Sequence, residues 1–168
     1  MANTDKKDIH TISFLVANKP GVLVRVALAF AKRGFNIDSL VVSPTTNAKF
    51  SRMTITAQGS PETLEQIIKQ TSKLIDVIRA EEHSEKETIH RELALIKLKH
   101  TPSTKPIILK QAEKFKAKLI SEEESFLIIE HLGTTAQLDE LEAILKKYNV
   151  VELVRSGKLV IAKGRDST

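Results

Sequence analysis

The chain has no cysteine, no tryptophan, one tyrosine and six phenylalanines among 168 residues. Without cysteine there is no disulfide framework, no thiolate nucleophile and no cysteine metal site. That absence agrees with a reducing compartment. No run approaches the roughly 18 apolar residues that a membrane span needs. The opening, Met1-Ala2-Asn3-Thr4-Asp5-Lys6-Lys7-Asp8, is polar and has no signal-peptide core. The expectation is a soluble, cytoplasmic protein with no membrane partner. Phosphate loops, G-x-G-x-x-G and G-x-S-x-G are missing, and Gly157-Lys158 lacks the upstream glycine of a phosphate loop. The histidines, His10, His83, His90, His100 and His131, do not share a helix face at ligand spacing, so no metal site is expected. Glu122-Glu123-Glu124 reads as a charged turn. Nothing in the chain looks catalytic.

Charge is plentiful but not concentrated. The net charge is +5. Residues 1–82 carry 11 basic and 8 acidic side chains and residues 83–168 carry 15 and 13, so the excess is spread over both halves. The densest basic stretch, Lys110 to Lys118, reads as the solvated face of a helix. RNA-binding sheets need exposed aromatics on central strands, and no such cluster exists. No nucleic-acid partner is expected.

Periodicity supplies the fold. A strand over 10–17 precedes a helix over 21–33 with Val22, Leu23, Val26, Ala27 and Phe30 on its apolar face. Lys32, Arg33 and Gly34 form a stop signal. Strands follow over 36–43 and 51–58, the second alternating Met53, Ile55 and Ala57 with Arg52, Thr54 and Thr56. Ser60-Pro61-Glu62 caps a helix carrying Leu64, Ile67, Ile68 and Thr71, and residues 74–80 close the set as a strand. After a polar stretch the order recurs. A strand over 89–99 leads through Thr101-Pro102-Ser103-Thr104 into a helix with Ile108, Ala112, Phe115 and Leu119 on one face. Strands over 118–121 and 126–131 follow. Thr134 and Gln137 then form a capping box for a helix carrying Leu138, Leu141, Leu145 and Tyr148. A strand over 150–154 and a tail through Leu159-Val160-Ile161 complete the chain. The class is α+β, two tandem ferredoxin-like βαββαβ domains. The boundaries fall at 9–82, a linker at 83–88, and 89–164. The helices cover one face of each sheet. The other face, with Phe14 and Val16 taken as apolar strand residues, is expected to be buried or paired with another copy.

Residues Asn18-Lys19-Pro20-Gly21-Val22-Leu23-Val24-Arg25 join the first strand to the first helix. The first turn of a helix has unpartnered N–H groups and partial positive charge. Gly21 has no Cβ and lets a carboxylate approach them. Asn18 offers a donor and an acceptor beside them. The loop suits a small amphoteric molecule such as an amino acid.

His10 to Asn18 with Lys19-Pro20-Gly21-Val22-Leu23, then Arg33-Gly34-Phe35-Asn36-Ile37-Asp38-Ser39-Leu40, resembles an ACT domain. Phe50-Ser51-Arg52-Met53-Thr54-Ile55, Leu64-Glu65-Gln66-Ile67 and Lys73-Leu74-Ile75-Asp76-Val77 narrow the likeness. Arg91-Glu92-Leu93-Ala94-Leu95-Ile96-Lys97, Gly133-Thr134, Leu138-Asp139 and Val154-Arg155-Ser156-Gly157 agree. Together they resemble the small regulatory subunits of acetolactate synthase (acetohydroxyacid synthase). The resemblance implies a non-catalytic chain without a cofactor of its own. It implies a catalytic large subunit as partner, carrying thiamine diphosphate, Mg and FAD. It implies activation of that subunit, feedback inhibition by valine in branched-chain amino-acid biosynthesis, and a homodimer of ACT domains paired edge to edge. Carried over by position, Asn18, Gly21, Val22, Leu23 and Val24 form the effector loop, and Asn36 and Ile37 line it from the neighbouring subunit. Val24 stands where many members carry a small hydroxyl residue, which leaves the choice among valine, leucine and isoleucine open. The alternative is a free-standing amino-acid-sensing ACT protein that regulates another enzyme or regulator.

Overall fold

A computed structural model describes residues 8–164 and 168. The polar opening over residues 1–7 lies outside the described residues. The chain falls into two compact units. One takes the described residues up to His90 together with those from Lys158 onward, and the other takes Arg91–Gly157.

In the first unit the order is β1 (Asp8–Ala17), α1 (Val22–Ala31), β2 (Ile37–Pro44), β3 (Phe50–Gly59), α2 (Pro61–Thr71) and β4 (Val77–Glu82). The sheet runs β2-β3-β1-β4, antiparallel throughout. Strand period 2 sorts the residues. Ile12, Phe14 and Val16 of β1 lie opposite Ile55, Met53 and Ser51 of β3. With Val22, Val26, Phe30, Leu64 and Ile67 from the two helices they form the buried core. Phe14 and Phe30 meet edge to face at 6.3 Å, a geometry worth about 0.5–1.5 kcal/mol beyond area burial.

Phe14 and Val16 therefore do not belong to a bare sheet face, as the sequence reading had it. The opposite face is largely polar. Thr11, Ser13, Thr54 and Thr56 are all buried there. Buried hydroxyls need partners. Ser39 Oγ pairs with Thr56 Oγ1 at 2.6 Å, Ser13 Oγ with His83 Nε2 at 2.5 Å, and Lys158 Nζ donates to Thr11 Oγ1 at 3.3 Å.

The rest of the chain is β5 (Thr88–Lys99), α3 (Lys105–Lys114), β6 (Lys118–Glu122), β7 (Phe126–Gly133), α4 (Thr135–Leu145), β8 (Val150–Arg155) and β9 (Leu159–Ala162). The sheet order is β6-β7-β5-β8, the counterpart of the first unit's order, with β9 pairing β5. Ala94, Ile96 and Leu98 of β5 pack with Ile108, Ala112, Leu127, Ile129, Leu138, Leu141 and Leu145. The βαββαβ reading thus holds for both halves.

Three local expectations differ from the structure. Leu119, read as the last apolar position of a helix, lies in β6, because α3 ends at Lys114. β4 begins at Val77 rather than at residue 74, because turn bonds from Leu74 N to Thr71 O and from Val77 N to Leu74 O occupy the interval. The tail Leu159-Val160-Ile161 is a strand.

In the second unit, residues from separate runs of the sequence converge on Arg155. Its guanidinium donates to Glu92 at 2.8 and 3.2 Å and to Asp139 at 2.5 Å, with Glu142 at 3.6 Å. Burial opposes the charge on Arg155, but the bonds to Glu92 and Asp139 outweigh it and raise its pKa. This cluster is scaffold.

Candidate functional site

Three segments of the first unit meet at the start of α1. Asn18 N donates to Lys49 O at 2.8 Å, and its side-chain Nδ2 donates to Ala48 O at 3.0 Å. Ala17 N donates to Asp76 O at 2.8 Å. The β1–α1 connection is thus braced by the β2–β3 turn and by the turn before β4. Asn18 acts here as a brace, with its amide nitrogen already committed.

Gly21 is the N-cap residue, with φ 80° and ψ −10°. That left-handed backbone is why glycine is needed at this position. A Cβ there would sit 3.4 Å from Arg25 Nη1. The helix therefore begins at Val22, one residue later than the sequence suggests, and ends at Ala31. Its first turn has neither a side-chain cap nor an acid. Arg25 N makes the first helical bond, to Gly21 O at 3.1 Å, while no described residue accepts from the backbone N–H of Leu23 or Val24. These open amides add partial positive charge to the loop.

The side chains divide their roles. Val22 is 2% exposed and belongs to the core, so only its backbone faces the loop. Leu23 and Val24 are 39% and 59% exposed and offer apolar surface beside the open amides. Arg25, in the first turn of α1, pairs with Asp76 of the turn before β4. Neither Arg25 nor Asp76 was singled out from the sequence. They lie 51 residues apart. The only local signal is that Arg25 lies one turn beyond Gly21.

Asn36 and Ile37 lie elsewhere. Asn36 is exposed and precedes β2, and Ile37 opens β2 with its side chain partly packed against the core. They follow the C-terminal end of α1, whereas Gly21 stands at its start. Ten helical residues separate these ends, about 15 Å of rise. One chain therefore does not bring Asn36 to the Gly21 loop. Among the described residues no group of three or more His, Asp or Glu could hold a metal ion, and no helix is long and apolar enough to cross a membrane.

A family model for the small subunit-like ACT domain of acetohydroxyacid synthase matches residues 12–79. A second, for the small subunit of acetolactate synthase, matches residues 91–164. The chain belongs to the acetolactate synthase small-subunit family. Its relatives include the acetolactate synthase small subunit of Mycolicibacterium smegmatis, 42% identical over 92% of this chain and 91% of the relative. The probable small subunit of Archaeoglobus fulgidus is 39% identical, covering 92% and 97%. The crystal structure of the small subunit from Thermotoga maritima superimposes with a TM-score of 0.85 at 34% identity, covering 95% of this chain and 99% of that one. Membership of this small-subunit family places the chain in branched-chain amino-acid biosynthesis. It also accounts for Arg155, Glu92 and Asp139, which come from three of the second-half runs that carry the resemblance. Those runs mark an ion network that holds β5, β8 and α4 together.

Proposed function

We propose that this chain is a non-catalytic regulatory subunit that raises the activity of the acetolactate synthase catalytic subunit and makes it sensitive to valine. The observation that carries the reading is the open start of α1, with two backbone N–H groups that no described residue accepts from, beside exposed Leu23 and Val24. A carboxylate placed there gains hydrogen bonds and the helix dipole. A branched aliphatic side chain gains apolar contact with Leu23 and Val24. The ammonium group still needs acceptors. The edge strand β2 supplies them if two copies pair along it, because Asn36 and Ile37 of one copy then approach the Gly21 loop of the other. Val24 contributes no hydroxyl, so discrimination among branched-chain amino acids rests on shape.

The match of both halves to small-subunit family models supports this reading over a free-standing sensor. In the proposal, thiamine diphosphate, Mg and FAD belong to the catalytic subunit, and this chain contributes no cofactor ligand. The test is reconstitution. The purified chain alone should form no acetolactate from pyruvate. Added to its catalytic partner it should raise turnover and impose inhibition by valine. Acetolactate formation by the isolated chain, free of partner, overturns the non-catalytic assignment. Partner turnover that the chain leaves unchanged overturns the regulatory one.

A further inference from the structure

Asn36 is exposed, but the residues on either side of it are anchored. Ile37 opens β2 opposite Ala57 of β3 and packs against the first unit's core. Phe35 packs against the same core. Its ring occupies the place of a side chain that β3 lacks. A Cβ at Gly59, the last residue of β3, would stand 2.0 Å from both Cε1 and Cζ of Phe35. Non-bonded carbons rest about 3.5–4.0 Å apart, so only glycine leaves room for the ring. The backbone of Gly59 is not left-handed. Close approach, rather than a turn, is what requires glycine here.

The contact is fixed from both sides. Gly34 adopts a left-handed backbone, with φ 72°, and Phe35 N donates to Phe30 O at 3.1 Å. Together they set the direction in which the chain leaves α1. Gly59 pairs with Asp8 of β1, and its carbonyl accepts from His10 Nε2 at 3.1 Å. It also precedes Ser60, whose hydroxyl caps α2. Strand period 2 places Gly59 on the face of β3 that carries Ile55 and Ala57. Phe35 over Gly59 and Ile37 over Ala57 are therefore successive inward contacts, with Asn36 between them. An aromatic ring laid across a strand glycine ties its own segment to that strand.

We propose that Phe35 is a positioning residue for the effector site. Its ring, seated on Gly59, holds residues 35–37 so that Asn36 meets the Gly21 loop of a second copy. Phe35 acts through Asn36 and does not itself meet the effector. The proposal rests on the reading of Asn36 as an acceptor for the effector's ammonium group.

The test uses the chain reconstituted with its catalytic subunit, with Asn36→Ala as the reference. Gly59→Ala expels the ring from its seat, and Phe35→Leu keeps an apolar side chain that cannot cover the glycine. Each should weaken valine inhibition by roughly two- to thirtyfold and leave activation of the catalytic subunit unchanged. Combining the two should weaken inhibition no further than the more affected single variant, because both remove one contact. Additive losses overturn the proposal, since the two residues then act separately. Loss of activation in step with loss of inhibition also overturns it, because the ring then only holds the fold. Full valine sensitivity in Phe35→Leu and Gly59→Ala, where Asn36→Ala has lost it, overturns the positioning role and leaves the reading of Asn36 standing. Full sensitivity in Asn36→Ala overturns that reading and the proposal together.

Discussion

The two units begin their first helices differently at the same place in the fold. In the first unit Gly21 precedes α1, and the amides of Leu23 and Val24 have no described acceptor. In the second, Thr104 precedes α3. Lys105 N donates to Thr101 O at 3.0 Å, and the next residue is Pro106, which has no N–H. The hydroxyls of Thr101, Ser103 and Thr104 bond one another and the backbone around that turn. One copy of the motif keeps two amides without a described acceptor, and the other keeps one, that of Ile107. The repeat thus separates two tasks. The first unit keeps the more open helix start, and the second carries the ion network around Arg155. An inherited fold does not bring its binding site along, because the site lives in a few amides that turn chemistry can close.

The sharpest way to break this comparison is to place a charge at each helix start. Gly21→Asp should abolish valine inhibition while leaving activation of the catalytic subunit largely intact. Like carboxylates in contact in a partly desolvated site cost several kcal/mol, more than roughly 100-fold in affinity. The backbone at Gly21 is left-handed, and Asp tolerates that better than most residues. Gly21→Ala serves as the control for strain alone. The counterpart Thr104→Asp should leave the valine response unchanged. Full valine sensitivity in Gly21→Asp, measured by inhibition of the reconstituted enzyme, removes the anion site. Loss of sensitivity in Thr104→Asp removes the contrast.

The next effect separates the two units' ion pairs. Arg155→Ala strips Glu92, which is 5% exposed, of both its bonds. An uncompensated buried charge costs about 3–5 kcal/mol. Arg25 is nearly half exposed, so Arg25→Ala should cost about 1 kcal/mol or less in stability. Thermal unfolding of the two variants should rank them in that order. Equal losses show that the Arg155 network is no more than a surface pair.

How much of this was legible depends on distance along the chain. Both βαββαβ units follow from local periodicity, and the capping box of α4 was visible as Thr134 and Gln137 because its partners are three residues apart. The loop's Pro20-Gly21 pair announced a turn. The bracing of that loop by Asp76 and Ala48 was not visible, since those partners are brought in by β4 and β3. The polar back of the first sheet was missed for a similar reason. Thr11, Ser13, Thr54 and Thr56 alternate openly with apolar residues, but their burial depends on Ser39, His83 and Lys158. β9 has only four residues, too few for a period to show. In the sequence His131 is one of five scattered histidines with no assigned role. It is buried beside Phe115, neither ring nitrogen has a described partner, and burial lowers its pKa.

Asn36→Ala tests whether the two ends of α1 cooperate across copies. An uncharged acceptor bonded to an ammonium group contributes about 1.5–3 kcal/mol. Its loss corresponds to roughly 10- to 150-fold weaker valine binding. Binding and dimerisation should then be linked, so that valine tightens the wild-type dimer and tightens the variant's less. Titration calorimetry with sedimentation, each with and without valine, reads both. An unchanged dissociation constant makes Asn36 a residue that merely starts a strand.

The smallest effect compares how the same two helices end. Gly34 and Lys116 occupy the same left-handed position, with φ 72° and 56°. Both make the same pair of bonds. Gly34 N donates to Ala31 O and Phe35 N to Phe30 O, while Lys116 N donates to Glu113 O and Ala117 N to Ala112 O. Glycine adopts this backbone without steric cost, and a residue with a Cβ pays about 1–2 kcal/mol. The extra freedom of glycine in the unfolded chain offsets part of that gain. Lys116→Gly should therefore stabilise the protein by up to about 1 kcal/mol, and Gly34→Lys should destabilise it by a similar amount. Denaturant midpoints at constant slope measure both.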